Sequence, residues 1–282
     1  MQQLSPSGIP YLDWGGEGPT LHLAHANGFP PGTYTALAER LTPACHVLGM
    51  ECRALWPGTD PAAFRHWREF GEDLARFFRE MELQGVIAAG HSLGAVGSLF
   101  CAAAHPQLVR ALILIDPVIP PLWFAGVWAV AMALGLNRRS PLAVRARQRR
   151  MDAPSLRVLL RAYQAVPVFR RWQPRFLEDY VTSVAVEQPD GSVLLRYPKE
   201  WEARIFETMP PDTWCALPRL RRLPLLVLRG ELSDTYRSDA MRLMRWLLPQ
   251  GQFVEISGAD HFVPMSQPER TAEAILGFLA SL

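Results

Sequence analysis

The sequence predicts an α/β fold: a mostly parallel, doubly wound sheet covered by helices on both faces, with one mainly helical insertion. Three observations carry this. Short apolar runs alternate with amphipathic segments at both ends of the chain, the pattern of strands joined by crossover helices. Two of the runs, GVIAAG and ALILID, are apolar almost throughout, as strands buried on both faces are. Residues 118–215 break the alternation and are helical in character and rich in arginine. A length of 282 residues suits one large domain with an insertion. Residues 1–117 and 216–282 are therefore assigned to the sheet domain and 118–215 to a cap.

In chain order, GIPYLDWG and TLHLAHAN read as strands parted by the breaker GEGP. TYTALAERL is a short amphipathic helix and CHVLGMEC a strand. PAAFRHWREFGEDLARFFREM carries Phe64, Trp67, Phe70, Leu74, Phe77 and Phe78 at helical spacing. The strand GVIAAG runs directly into the small-residue helix LGAVGSLFCAAAH, and ALILID is the next strand. Within the insertion, VAVEQPDGSVLLRY suggests a hairpin about its Asp-Gly turn. Alternation then resumes with the strand LPLLVLRG, the helix SDAMRLMRWLL, the strand QFVEISG and the closing helix PERTAEAILGFLASL.

Composition narrows the function classes. A net charge of +2 gives no electrostatic footprint for nucleic acid. Lys199 is the only lysine, so the basic charge is nearly all arginine. Cys45, Cys52, Cys101 and Cys215 show no CxxC spacing and read as free thiols of a reducing compartment. The N-terminus has neither a basic start nor an apolar run, so no signal peptide is expected and the protein is placed in the cytoplasm. No P-loop or GxGxxG is present. Metal motifs are also missing from the sequence, and His22 and His25 are expected on opposite faces of a strand. Neither a cofactor nor a metal is therefore expected.

The chemistry is announced by AAGHSLGAVGS. Gly90-His91-Ser92-Leu93-Gly94 fits G-x-S-x-G, in which a strand turns sharply into a helix and leaves a serine hydroxyl exposed. Side chains two residues to either side would collide in so tight a bend. The helix that follows aims unpaired N–H groups at the hydroxyl. On these residues the chain resembles a capped α/β-hydrolase, over about residues 8–117 and 216–282.

The resemblance implies a nucleophile, an acid and a histidine in that chain order. Ser92 is the nucleophile. His261, in SGADHFVPMSQPE, stands where the family carries its histidine, with Asp260 in place of the usual preceding glycine. The acid is expected at Asp234 in LRGELSDTY; Asp116, closing ALILID, and Glu231 are rivals. HANGFPPGTY resembles the family's HGxP loop with two residues inserted after His25. The oxyanion donors are then expected to be the backbone N–H groups of Leu93 and Phe29, with Asn27 or Gly28 as alternatives to Phe29. A serine at position 92 argues against the dehalogenase and epoxide-hydrolase branches, which use a carboxylate nucleophile.

Residues 117–137 carry no charge. A membrane span there would put Ser92 and His261 on opposite sides of a bilayer, and Pro120, Pro121 and Gly126 weaken one continuous helix. The favoured reading is that Trp123, Phe124, Trp128 and Met132 line an apolar substrate pocket, with His91 and Phe262 counted as further substrate-binding residues. The other reading rests this helix weakly on a lipid surface. It draws on the next segment, Arg138 to Arg175, which holds eleven arginines and one acid, Asp152. The expected function is a serine hydrolase cleaving small apolar carboxylic esters through an acyl-enzyme. Carbon–carbon bond hydrolysis, lactone opening, perhydrolysis and a catalytically silent binding protein are the alternatives, and oligomeric state is left open.

Overall fold

The computed structural model describes residues 2–282. Strands β1 (Gln2–Leu4) and β2 (Pro10–Gly15) precede β3 (Thr20–Ala24), α1 (Thr35–Leu41) and β4 (His46–Met50). Then come α2 (Arg68–Glu80), β5 (Val86–His91), α3 (Leu93–Ala104) and β6 (Val109–Ile115). The segment after β6 holds α4 (Leu122–Ala133), α5 (Pro141–Arg147), β7 (Asp152–Ala153), α6 (Leu156–Ala165), α7 (Pro174–Val184), β8 (Ala185–Glu187), β9 (Val193–Leu195) and α8 (Lys199–Glu207). The chain closes with β10 (Leu225–Gly230), α9 (Ser238–Leu247), β11 (Gln252–Ile256), the single turn α10 (Val263–Ser266) and α11 (Pro268–Leu279).

The eight-stranded sheet runs β1-β2-β4-β3-β5-β6-β10-β11. Its β1–β2 and β2–β4 pairs are antiparallel and the rest are parallel. The predicted α/β class is therefore the observed one. Every residue of β5 and all but Arg110 of β6 are buried, which is why both strands read as apolar runs. Strand order reverses between β3 and β5, so the crevice beyond their carboxyl ends is where an open parallel sheet binds ligands.

Two local readings differ from the structure. The helix expected from Pro61 begins at Arg68, after an isolated turn at Pro61–Ala63. The Phe64 carbonyl accepts from Arg204 Nε at 2.9 Å and Nη2 at 2.6 Å, so it is taken by the insertion rather than by a helix ladder. All six apolar residues of that stretch are nonetheless buried, each contributing about 1.5–3 kcal/mol. Strand β1 was invisible because three exposed residues carry no alternation to read.

The insertion between β6 and β10 has a small sheet of its own, β7-β9-β8, closed by the expected hairpin with Gly191 at φ 81°. It has no separate major core. Phe169, Trp172, Phe176, Tyr180, Tyr197 and Trp201 belong to the same apolar cluster as the sheet residues. The insertion is thus packed down as a layer over the carboxyl edge of the sheet.

Candidate active site

The bend at Ser92 follows from its glycines. A Cβ on Gly90 would lie 2.4 Å from the Gly94 carbonyl, and one on Gly94 would lie 2.2 Å from the Ala24 carbonyl oxygen. Both positions therefore exclude a side chain. The second contact also draws the end of β3, and the loop after it, against the start of α3. Ser92 itself stands at φ 57°, a left-handed conformation that costs a non-glycine residue on the order of 1–3 kcal/mol. Among the described residues, Glu82 and Asp116 are the other non-glycine residues at positive φ. Two of the three strained positions thus close adjacent strands at one sheet edge.

The site assembles around that edge. Ser92 Oγ lies 2.9 Å from His261 Nε2, and His261 Nδ1 lies 2.7 Å from Asp116 Oδ2. Asp116 is fully buried at the end of β6. Its Oδ2 also accepts from Ser233 Oγ at 2.6 Å and its Oδ1 from Gly230 N at 2.9 Å. A carboxylate so enclosed can accept only, so Nδ1 carries the imidazole proton and Nε2 is left to accept from the Ser92 hydroxyl. The His261 loop reaches this position because Gly230 has no side chain: a Cβ there would meet the Asp260 carbonyl oxygen at 2.2 Å.

The expected acid, Asp234, does not reach the imidazole. The turn after β10 folds back through Ser233 N to Gly230 O at 3.0 Å and Leu232 N to Ala259 O at 2.9 Å. That turn points Ser233 inward and leaves Asp234 exposed, its carboxylate 3.3 Å from Thr235 Oγ1. Glu231 is also exposed and accepts from Gly258 N at 2.8 Å. Asp116 holds the place assigned to Asp234. An acid directly abutting a strand buried at all but one residue was the available signal, because a buried carboxylate needs partners.

The donor expected at Phe29 is likewise displaced. Phe29 N–H is already spent on the Ala26 carbonyl at 3.2 Å. The N–H of Asn27 has no acceptor among the described residues, and neither has that of Leu93 at the start of α3. Asn27 is held from the insertion: its Oδ1 accepts from Tyr197 Oη at 2.9 Å and its Nδ2 donates to the Glu202 carbonyl at 3.1 Å. Glu202 is fixed in turn by Arg149 Nη1 at 2.7 Å. The other Arg149 Nη reaches Tyr163 Oη at 3.0 Å and Tyr180 Oη at 2.6 Å.

His91 does not border an open pocket. It is fully buried, with Nε2 2.8 Å from the His261 carbonyl and Nδ1 2.8 Å from Tyr34 Oη. A carbonyl only accepts, so Nε2 bears the proton and Tyr34 donates to Nδ1. Tyr34 Oη also accepts from Ala26 N at 3.0 Å. His91 thus links the loop after β3 to the loop carrying His261.

Burial holds the His91 pKa down to about 3 and that of His22 to about 3; for His25, burial outweighs a backbone hydrogen bond and leaves it at about 4. His22 and His25 do not diverge as alternation suggested, since His25 lies beyond β3. Both accept backbone N–H groups, from Met50 and Cys52, at 2.9 Å. All three histidines are neutral in the fold and charge once unfolded. Their stabilisation is complete above the unfolded pKa of about 6.5 and is lost as pH falls from there toward 3–4. Each is expected to add about 1.4 kcal/mol per pH unit to the acid slope. Urea midpoints measured from pH 8 down to pH 4 should fall steeply below about 6.5; a flat profile would contradict buried neutral imidazoles.

A cluster of rings packs beside His261. The Phe29 ring packs at 5.0 Å on Tyr180, 5.6 Å on Trp172 and 5.2 Å on Phe262, which lies 5.2 Å from the His261 ring. These rings come from the loop after β3, the segment entering α7, α7 itself and the His261 loop. Ser92 is only 7% exposed beneath them. Trp123 is 64% exposed, Phe124 stacks on Trp128, and Trp128 Nε1 donates to the Met209 carbonyl at 2.8 Å. Met132 is half-buried on the same helix. No hydrogen bond or ring contact among the described residues joins these four to Ser92 or His261.

No group of His, Cys, Asp and Glu suited to a metal occurs among the described residues. No helix among them is long and apolar enough to cross a membrane. The model of the alpha/beta hydrolase family matches residues 23–274. The chain is 26% identical over 272 residues to a 2-(acetamidomethylene)succinate hydrolase of Mesorhizobium japonicum, covering 94% of this chain and 89% of that one. It is 26% identical over 221 residues to a human (lyso)-N-acylphosphatidylethanolamine lipase, of which it spans 60%. Among solved structures, that of an E-2-(acetamidomethylene)succinate hydrolase superposes with a TM-score of 0.80 at 20% identity, covering 99% of both chains.

Proposed function

The chain belongs to the α/β-hydrolase family, and from that premise we propose that it is a serine hydrolase acting on carboxylic esters. The observation that carries the reading is the continuous line of hydrogen bonds from Ser92 through His261 to Asp116. In this mechanism His261 Nε2 takes the Ser92 proton as Oγ attacks the acyl carbon. Asp116 orients the imidazole and stabilises the imidazolium that forms. The N–H groups of Asn27 and Leu93 receive the negative oxygen of the tetrahedral intermediate, each worth about 3–4 kcal/mol by analogy with single donors removed elsewhere. His261 then gives its proton to the leaving alcohol, which departs and leaves an acyl-serine. Water, deprotonated by the same nitrogen, releases the acid and restores Ser92.

The cluster of Phe29, Trp172, Tyr180 and Phe262 beside the base supports an apolar acyl group as the preferred one. A fluorophosphonate probe is expected to label Ser92 and to leave Ser92→Ala unlabelled. With p-nitrophenyl esters of increasing acyl length, kcat/KM should rise by up to about fourfold per methylene until the pocket is filled, since each buried methylene is worth about 0.8 kcal/mol. Failure of the probe to label at any pH would replace the enzyme by a silent member of the family. Labelling together with a profile that does not depend on length would keep the chemistry and remove the acyl group from the aromatic cluster.

A further inference from the structure

We infer that helix α4 and the arginines around its carboxyl end form a docking surface for an anionic lipid bilayer. All twelve residues of α4 are apolar or glycine, yet only Ala125 is buried. An apolar helix in a water-soluble setting ordinarily sits inside a core. Here Trp123, Val127, Val130 and Leu134 recur at helical spacing along one face and are 64%, 61%, 60% and 68% exposed. The opposite side is the one held down, through Ala125 and through Trp128 Nε1 on the Met209 carbonyl. A contiguous stripe of this kind marks an interaction surface.

Charge on the adjoining turns selects the occupant. The turn Leu136–Arg139 follows α4 and α5 follows that turn, with Arg147 Nη1 bonded to the Arg138 carbonyl at 3.2 Å. This stretch adds exposed Leu136, Leu142 and Val144 to the apolar patch. It also adds exposed Arg138, Arg139 and Arg145, none with a carboxylate within 4 Å among the described residues. Arg157, Arg161, Arg170 and Arg171 on the same insertion are exposed and equally unpaired. Residues 117–216 hold fourteen basic and nine acidic side chains, whereas the remainder of the chain is net acidic. An apolar face continued by a turn of unpaired guanidinium groups matches acyl chains beneath an anionic headgroup layer. A second copy of the same surface would set the two arginine collars against each other. Because α4 begins six residues after Asp116, docking would turn the covered edge of the sheet toward the lipid.

The test uses the whole protein with vesicles of phosphatidylcholine alone and vesicles enriched in phosphatidylglycerol. The wild type is expected to sediment with the anionic vesicles at low ionic strength and to be released by salt. Arg138→Glu/Arg139→Glu should weaken this binding by about tenfold or more. Val127→Asp/Val130→Asp should abolish it while hydrolysis of a soluble p-nitrophenyl ester and the thermal midpoint stay at wild-type values. Absence of wild-type sedimentation at low salt overturns the proposal. Unchanged binding of Val127→Asp/Val130→Asp does so too, as does a lipid-independent dimer of the wild type that this variant dissolves. Either ester result leaves the outcome readable, because sedimentation needs no catalysis.

Discussion

Ser92→Ala and His261→Ala are each expected to lower kcat by about six orders of magnitude, near 8 kcal/mol of transition-state stabilisation. Ser92 Oγ and His261 Nε2 are already in hydrogen-bond contact at 2.9 Å, so proton transfer requires no rearrangement of either group. The two groups act as a unit, and the double variant should be little worse than either single one. Neither change should disturb the fold. Alanine at position 92 inherits the same positive φ and gives up one hydrogen bond. His261 is partly exposed, and its loop is still tied by its carbonyl to His91. Single-turnover rates with unaltered near-ultraviolet circular dichroism would check this. A kcat within about a hundredfold of wild type in the His261 variant would remove it as the base.

Asp116→Asn is expected to cost about four orders of magnitude in kcat, against less than about twofold for Asp234→Asn. The contrast comes from the acceptor arrangement at position 116. Oδ1 receives Gly230 N–H, while Oδ2 receives both Ser233 O–H and His261 Nδ1–H. A carboxamide has one oxygen, so whichever way it turns its NH2 meets a donor. If NH2 faces His261, the ring is driven to the other tautomer and Nε2 can no longer accept from Ser92. If it faces Gly230, a buried N–H loses its partner at about 1–3 kcal/mol of stability. Asp234 is exposed and bonded only to its neighbour Thr235, so its neutralisation touches nothing at the site. Equal losses in the two variants, or a larger one at Asp234, would reverse the assignment.

The bend at Ser92 was legible because steric exclusion acts between residues four apart, and glycine is its direct record. His261 was legible from its position after the last strand pairing with β10. The acid was not, because two strands end side by side and either could supply it. What decides is the turn after Gly230, which rotates Ser233 in and Asp234 out, and no residue type in GELSDTY encodes that rotation uniquely. The donor at Phe29 failed for a similar reason. The inserted residues close a turn of their own in which the Phe29 N–H is taken by the Ala26 carbonyl. The rings beside His261 come from four places in the chain, Phe29, Trp172, Tyr180 and Phe262, because packing selects rings by approach in space. Hydropathy ranks only how apolar a segment is.

The grip on Asn27 has a consequence for selectivity. Both ends of its carboxamide are held by residues 197 and 202, which belong to the insertion, whereas its main-chain N–H has no acceptor among the described residues. A ligand that had to lift this layer to reach a serine 7% exposed would loosen the same amide. If entry requires that lift, the proposed attack would follow only after the layer returns, so the chamber that admits would be unarmed and the chamber that reacts would be shut. Molecules too bulky to let the layer settle back would be bound yet spared, so discrimination is made at reclosure as well as at the doorway.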